Sequence, residues 1–274
     1  MKENPLEQHI LGTYLSLRYG LAVIAFSFPV ILWIGGRYYA DVGLQDSMSA
    51  YYYACTGGRS MRIWFAGILL VVGACLYLYK GYRQAADIAL NCAGVLAIGI
   101  ALFPMDWTAK TSRITDESEV CACLQGIPLT IDGTSVHAYL HGFCAISFFL
   151  CIAFVCLFCA SDTLPLIKDK PKEDMYRRKY HAAGTAMIVS PITAFILTQM
   201  LGKYNWFIFV VEVLGIYAFA FYWLIKSREI KETNAELHAI RGELTRIVRP
   251  RVGVDEVKVV HSTDLAPQAG RPRE

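Results

Sequence analysis

Hydrophobic positions in this chain gather into six long, nearly unbroken runs instead of alternating with polar ones. Residues 15–34, 63–79, 88–103, 138–160, 182–201 and 206–225 hold almost no charge. A hydrocarbon core of about 30 Å needs roughly 20 apolar residues per helix. In lipid, each backbone amide must find its partner within its own segment, so such runs form helices and not open strands or loops. The pattern predicts an all-α fold, a polytopic membrane helix bundle with six transmembrane helices. Residues 15–34 are followed by Gly35, Gly36, Arg37 and Tyr38 with no small-residue cleavage site, and read as an uncleaved first span.

The interruptions carry further expectations. Pro191 lies in the fifth run beside Ser190, Thr193, Thr198 and Gln199. Hydroxyls near a membrane proline re-satisfy the backbone groups it frees. Gly67 and Gly73 mark the second run, Gly94 and Gly99 the third. Small residues let membrane helices approach closely, and the short link at 80–87 makes these two an antiparallel pair. Residues 35–62 are too long for a structureless connection. Leu44, Met48, Tyr52 and Cys55 recur at helical spacing there. They predict a short helix, capped by Asp46 or Ser47 and ended by Gly57-Gly58, lying on the outer surface or dipping inward.

Past the sixth run, Ile230, Leu237, Ile240, Leu244 and Ile247 follow a seven-residue pattern up to Pro250. The chain therefore divides into a transmembrane domain (1–226), a cytoplasmic amphipathic helix (227–250) and a disordered tail (251–274). The apolar seam of the second unit is a candidate surface for a homo-oligomer or another partner.

Hydrophobic residues make up 55% of the chain, with a mean hydropathy of +0.39, which sets it apart from soluble domains of this length. The net charge of +3 matters less than its distribution. Lys168, Lys170, Lys172, Arg177, Arg178 and Lys179 follow the fourth run, Lys80 and Arg83 the second, and Lys226, Arg228 and Lys231 the sixth. The opposite side carries fewer basic residues. The positive-inside bias puts both termini in the cytoplasm, across the plasma (inner) membrane. The same bias accounts for the basic linker, so no nucleic-acid partner is expected; the expected partners are membrane lipids. Arg18 should snorkel to the inner interface, and Asp87 should pair with a nearby arginine. Of nine cysteines, six lie within the runs; Cys55, Cys121 and Cys123 fall in the outer loops, where Cys55 could bridge either of the others in an oxidising compartment.

Candidate chemistry gathers at the outer end. His137-x-x-x-His141 puts two imidazoles on one helix face, where they could grip one metal ion. Against this stands a plainer role as interfacial histidines. Glu212 lies six residues inside the sixth run, roughly 9 Å below its end at 1.5 Å per residue. An intramembrane carboxylate is a site hypothesis by default; the plain alternative is an ion pair with Arg59, Arg62 or a histidine. Asp106, Ser49 and Tyr51 to Tyr53 reach the same leaflet. Converging, they would support metal-assisted hydrolysis. His137 and His141 would be ligands, Glu212 or Asp106 a third ligand or general base, and Ser49 or a tyrosine an oxyanion donor.

A serine-bearing segment before the second span, an acidic residue near the third and a later His-x-x-x-His resemble the membrane hydrolase superfamily of alkaline ceramidases and adiponectin-type receptors. That resemblance implies a zinc site and lipid-amide substrates. The chain departs from it: Tyr53 stands four residues after Ser49 where that family has histidine, the His pair lies on the fourth span, and six spans are visible, not seven. Ser47 to Tyr53, Leu102 to Pro104 and His141-Gly142 also resemble a group of uncharacterised bacterial multispanning proteins, which implies no activity.

Three classes follow. One is a non-enzymatic sensor, scaffold or accessory subunit with an outward-facing polar pocket. The second is a metal-dependent hydrolase of a lipid or other outer-leaflet substrate. The third is a small transporter or channel, which the apolar mid-depth of most spans and the lack of an inverted repeat place last.

Overall fold

A computed structural model describes residues 5–56, 58–105, 136–241, 244–248 and 255–259. Six long helices carry the chain back and forth: α1 (Pro5–Tyr38), α2 (Arg62–Leu78), α3 (Gln84–Leu102), α4 (Val136–Phe154), α5 (Lys170–Met200) and α6 (Phe207–Thr233). Five of them are long and apolar enough to cross a membrane; α2, at 17 residues, is equally apolar and slightly shorter. The all-α bundle is as the hydrophobic pattern predicts.

Each helix packs on the next in sequence, and α6 returns to α1, so the six form a closed ring. The α2 and α3 pair is the tightest. A methyl group added to Gly73 would lie 2.8 Å from the Gly94 carbonyl, and one on Gly94 would lie 2.7 Å from the Gly73 carbonyl. In lipid, helix pairing rests on such close van der Waals packing and not on apolar burial. Leu32, Leu76, Leu90, Ile152 and Trp223 fill the interior, while Leu17, Val23, Val95, Ile146 and Ile192 face outward to lipid.

Pro191 cannot donate to the Met187 carbonyl one turn back. The Ser190 hydroxyl donates to that carbonyl at 2.8 Å, as the clustered hydroxyls suggest. The fourth span runs beyond α4 through a π turn (Val155–Cys159) and a 3-10 turn (Ala160–Leu166).

One end of the ring collects the basic groups. Arg18 does not snorkel: it is buried, its guanidinium 4.4 Å from the centre of the Tyr79 ring and 5.9 Å from that of Trp223. Asp87 pairs with Lys80 at 3.1 Å instead of with an arginine, and Arg83 faces Asp162 at 3.6 Å. The Lys226 ammonium is fully bonded, to Glu229 at 2.7 Å, Thr163 at 2.6 Å and the Ala160 carbonyl at 2.8 Å. Tyr180 and Thr163 complete the Glu229 carboxylate. Arg241 reaches Glu7 at 2.8 Å, so the two ends of the helical body meet on this face.

The region after α6 departs from the amphipathic helix expected over 227–250. The helix of the sixth span continues to Thr233 and stops at Asn234, whose φ of 51° lies in the left-handed region that ends helices. A short α7 (Ala235–Ile240) follows, then an antiparallel hairpin of β1 (Leu244–Val248) and β2 (Asp255–Val259). The seven-residue recurrence is thus divided among three elements. The β-branched residues of Leu244 to Val248 and of Val257 to Val259 suit a strand as well as a helix.

Candidate functional site

At the opposite end, residues 39–56 and 58–61 fold down into the ring. A 3-10 turn (Ser49–Tyr52) is buried at Ser49, Ala50 and Tyr51, and a small antiparallel ladder pairs Cys55 with Ser60. Gly58, at φ 79°, makes the bend. The loop dips inward because the end of α1 leaves room for it. At Gly36 a side chain would strike the Tyr51 ring, so glycine there seats this tyrosine. Burial pushes the Tyr51 phenol above its ordinary pKa, which keeps it neutral.

The loop also closes the start of α6. The first four amides of a helix have no partner within it; here the Asp46 carbonyl accepts from Phe209 N at 3.0 Å. One turn further, Glu212 accepts from Met48 N at 2.5 Å and lies 3.3 Å from the Ser49 hydroxyl. Glu212 is therefore bound to the loop backbone. Arg59 and Arg62, the cations considered for it, lie over the Tyr39 and Tyr52 rings.

Across the ring, α3 ends at Leu102, and Phe103 is extended at φ −102°, ψ 101°. A following proline disfavours helix at the preceding residue, and Pro104 occupies that position. The Phe103 carbonyl is thus turned out of the helix, where His141 Nδ1 meets it at 2.7 Å. The other ring nitrogen, Nε2, lies 2.9 Å from Ser49 Oγ. A carbonyl only accepts, so Nδ1 carries hydrogen and the neutral ring turns a lone pair toward Ser49. Tyr53 donates to the Met105 carbonyl at 2.6 Å and ties the loop to the same segment.

Of the expected site residues, Ser49, His141 and Glu212 come together. His137 does not join them: it is exposed and stacks on Phe103 with ring centres 6.0 Å apart. The two histidines share a face, but His137 lies one turn higher, above the level where the loop closes the ring. Asp106 lies outside the described residues. Among the described residues, no three His, Cys, Asp or Glu side chains are grouped to hold a metal ion. Cys55 is disulfide-bonded, and its partner lies outside the described residues. The six cysteines of the spans are free thiols.

Beneath this cluster lies a cavity of about 70 Å³ lined from α1, α2, α3, α4 and α6. Phe28, Phe65, Phe148, Phe149 and Phe219 dominate its wall; Ser49 and Glu212 are its polar lining residues. Glu212 is half-buried, and it borders this space. That is room for a few methylene-sized groups, less than the roughly 300–1,000 Å³ of a site that encloses a whole small molecule. Sequence reasoning had no means to foresee it, since its wall comes from residues otherwise indistinguishable from core.

Fold and site together define an integral membrane protein, a ring of helices with a Ser, His and Glu cluster over an apolar cavity at one end. The chain belongs to the family described as Protein of unknown function (DUF998), which it matches over residues 22–222. That stretch includes Ser49, Phe103, His141 and Glu212. No curated protein and no solved structure matches the chain.

Proposed function

We propose that this protein binds an amphiphile at the outer end of the bundle, with the apolar part in the central cavity and the polar end against Ser49, His141 and Glu212. The observation that carries this reading is the division of the cavity wall, phenylalanines and aliphatic residues throughout and polar groups at one place. Such a wall suits the few methylenes next to an amphiphile's acyl or hydroxyl group, and suits a hydrophilic solute poorly. A sensor, scaffold or accessory role would act through this occupancy.

The orientation adopted places the cavity end outside the cytoplasm and both termini within it, in the plasma membrane. Basic residues concentrate at the Glu7 and Arg241 end, as positive-inside bias requires. The bonded Cys55 at the other end suits an oxidising compartment.

The test is binding of cis-parinaric acid, a fluorescent fatty acid, to purified protein in detergent or nanodiscs. Saturable binding is expected, with a loss of tenfold or more in affinity when Val72→Trp fills the cavity. Absent binding, or binding indifferent to Val72→Trp in a variant that still folds, would remove the proposal.

A further inference from the structure

We propose that Ser49 is an acyl-accepting nucleophile and that the cluster hydrolyses an ester or amide of an acyl amphiphile; this rests on the amphiphile-binding reading above. An activated serine needs a base within hydrogen-bond reach, and the base needs a third group to hold its tautomer. His141 Nε2 lies 2.9 Å from Ser49 Oγ, and its Nδ1 is held 2.7 Å from the Phe103 carbonyl. That carbonyl does what a carboxylate does in other Ser-His pairs: it fixes the hydrogen on Nδ1 and leaves Nε2 to take a proton. A carbonyl is neutral, so it stabilises the imidazolium less than a carboxylate would, and the base is accordingly a modest one.

Glu212 completes the arrangement. Its Oε2 accepts from Met48 N, and its Oε1 lies 3.3 Å from Ser49 Oγ. Ser49 Oγ is the donor to Oε1, so its one hydrogen is shared between the Glu212 carboxylate and His141 Nε2, and the carboxylate holds the hydroxyl in place beside its base. The hydroxyl also borders the cavity, so an acyl chain lying along the phenylalanines brings its carbonyl to Ser49.

The steps balance as follows. Ser49 Oγ forms a bond to the acyl carbon while its proton passes to His141 Nε2. The bond from that carbon to the alcohol or amine breaks, and the leaving group takes the proton from His141. Water then adds to the acyl-serine and gives a proton to His141, and the Ser49 ester breaks. Carboxylic acid leaves and Ser49 is restored. The net reaction consumes one water per ester or amide bond.

The experiment uses full-length protein in nanodiscs with dodecyl fluorophosphonate, whose phosphorus is attacked by an activated serine with loss of fluoride. One adduct on Ser49 is expected, located by peptide mass spectrometry and absent in Ser49→Ala. Its rate should fall about 100-fold or more in His141→Gln, the range of general-base effects. Parinaric acid binding, measured on the same samples, separates the two readings and reports folding. Wild-type protein that binds parinaric acid and takes no adduct, or takes it elsewhere than Ser49, overturns the nucleophile and leaves the binding site standing. Wild-type protein that does neither overturns both.

Discussion

His141 Nε2 lies 2.9 Å from the hydroxyl of Ser49, a residue 92 positions earlier in the chain. The contact joins a loop that enters the ring from above to a helix on its far side. Both residues are buried. The bond therefore forms only when α4 and the loop reach their final places.

Glu212 should tolerate glutamine and not leucine. Glutamine keeps an oxygen for Met48 N and gains a donor for Ser49. Leucine leaves that amide without an acceptor, a loss of about 1–3 kcal/mol. Chemical denaturation in detergent should show Glu212→Leu less stable by about that amount, with Glu212→Gln within about 1 kcal/mol of wild type.

Gly36→Ala should damage the site from a distance. The added methyl displaces Tyr51, which fills the space beside Gly36, and overpacking of this kind costs about 1–3 kcal/mol. Because Tyr51 and Ser49 share one turn, parinaric acid affinity should fall together with melting temperature. Gly67→Ala, with open space around it, should change neither.

Removing one member of the inner ion pair should cost more than removing both. Lys226→Met leaves Glu229 buried against Thr163 and Tyr180 with no cation on it, a loss of about 3–5 kcal/mol. Lys226→Met combined with Glu229→Leu should recover a large part of that loss in the same denaturation assay. Equal losses in the single and double variants would show that the pair does not act as a unit.

Chelator treatment of purified protein should leave both melting temperature and Ser49 adduct formation unchanged. Both ring nitrogens of His141 already have partners in Phe103 and Ser49, and His137 faces away onto Phe103. Loss of either property with chelator, restored by zinc, would bring back the paired-histidine metal site.

Orientation is open to direct measurement. An impermeant maleimide added to whole cells should label Asp41→Cys and not Lys172→Cys. The reverse pattern would invert the molecule. Cys55→Ser should lower stability by about 2–5 kcal/mol, the usual range for loss of a native bridge.

The bundle was legible along the chain because membrane crossing is a local property: a run of apolar residues long enough to span lipid can only be a helix there. The close pairing of α2 with α3 and the hydroxyl that serves Pro191 were readable for the same reason, each resting on neighbours in one segment. Sequence also singled out Ser49, His141 and Glu212 as polar groups in costly places. It could not say which would meet, because four residues separate His137 from His141 and only the height of the loop in the ring divides an exposed imidazole from a buried one. The cavity, the turned-out Phe103 carbonyl and the change from helix to hairpin after Asn234 depend on how distant segments pack. Spacing along one segment carries no information about that.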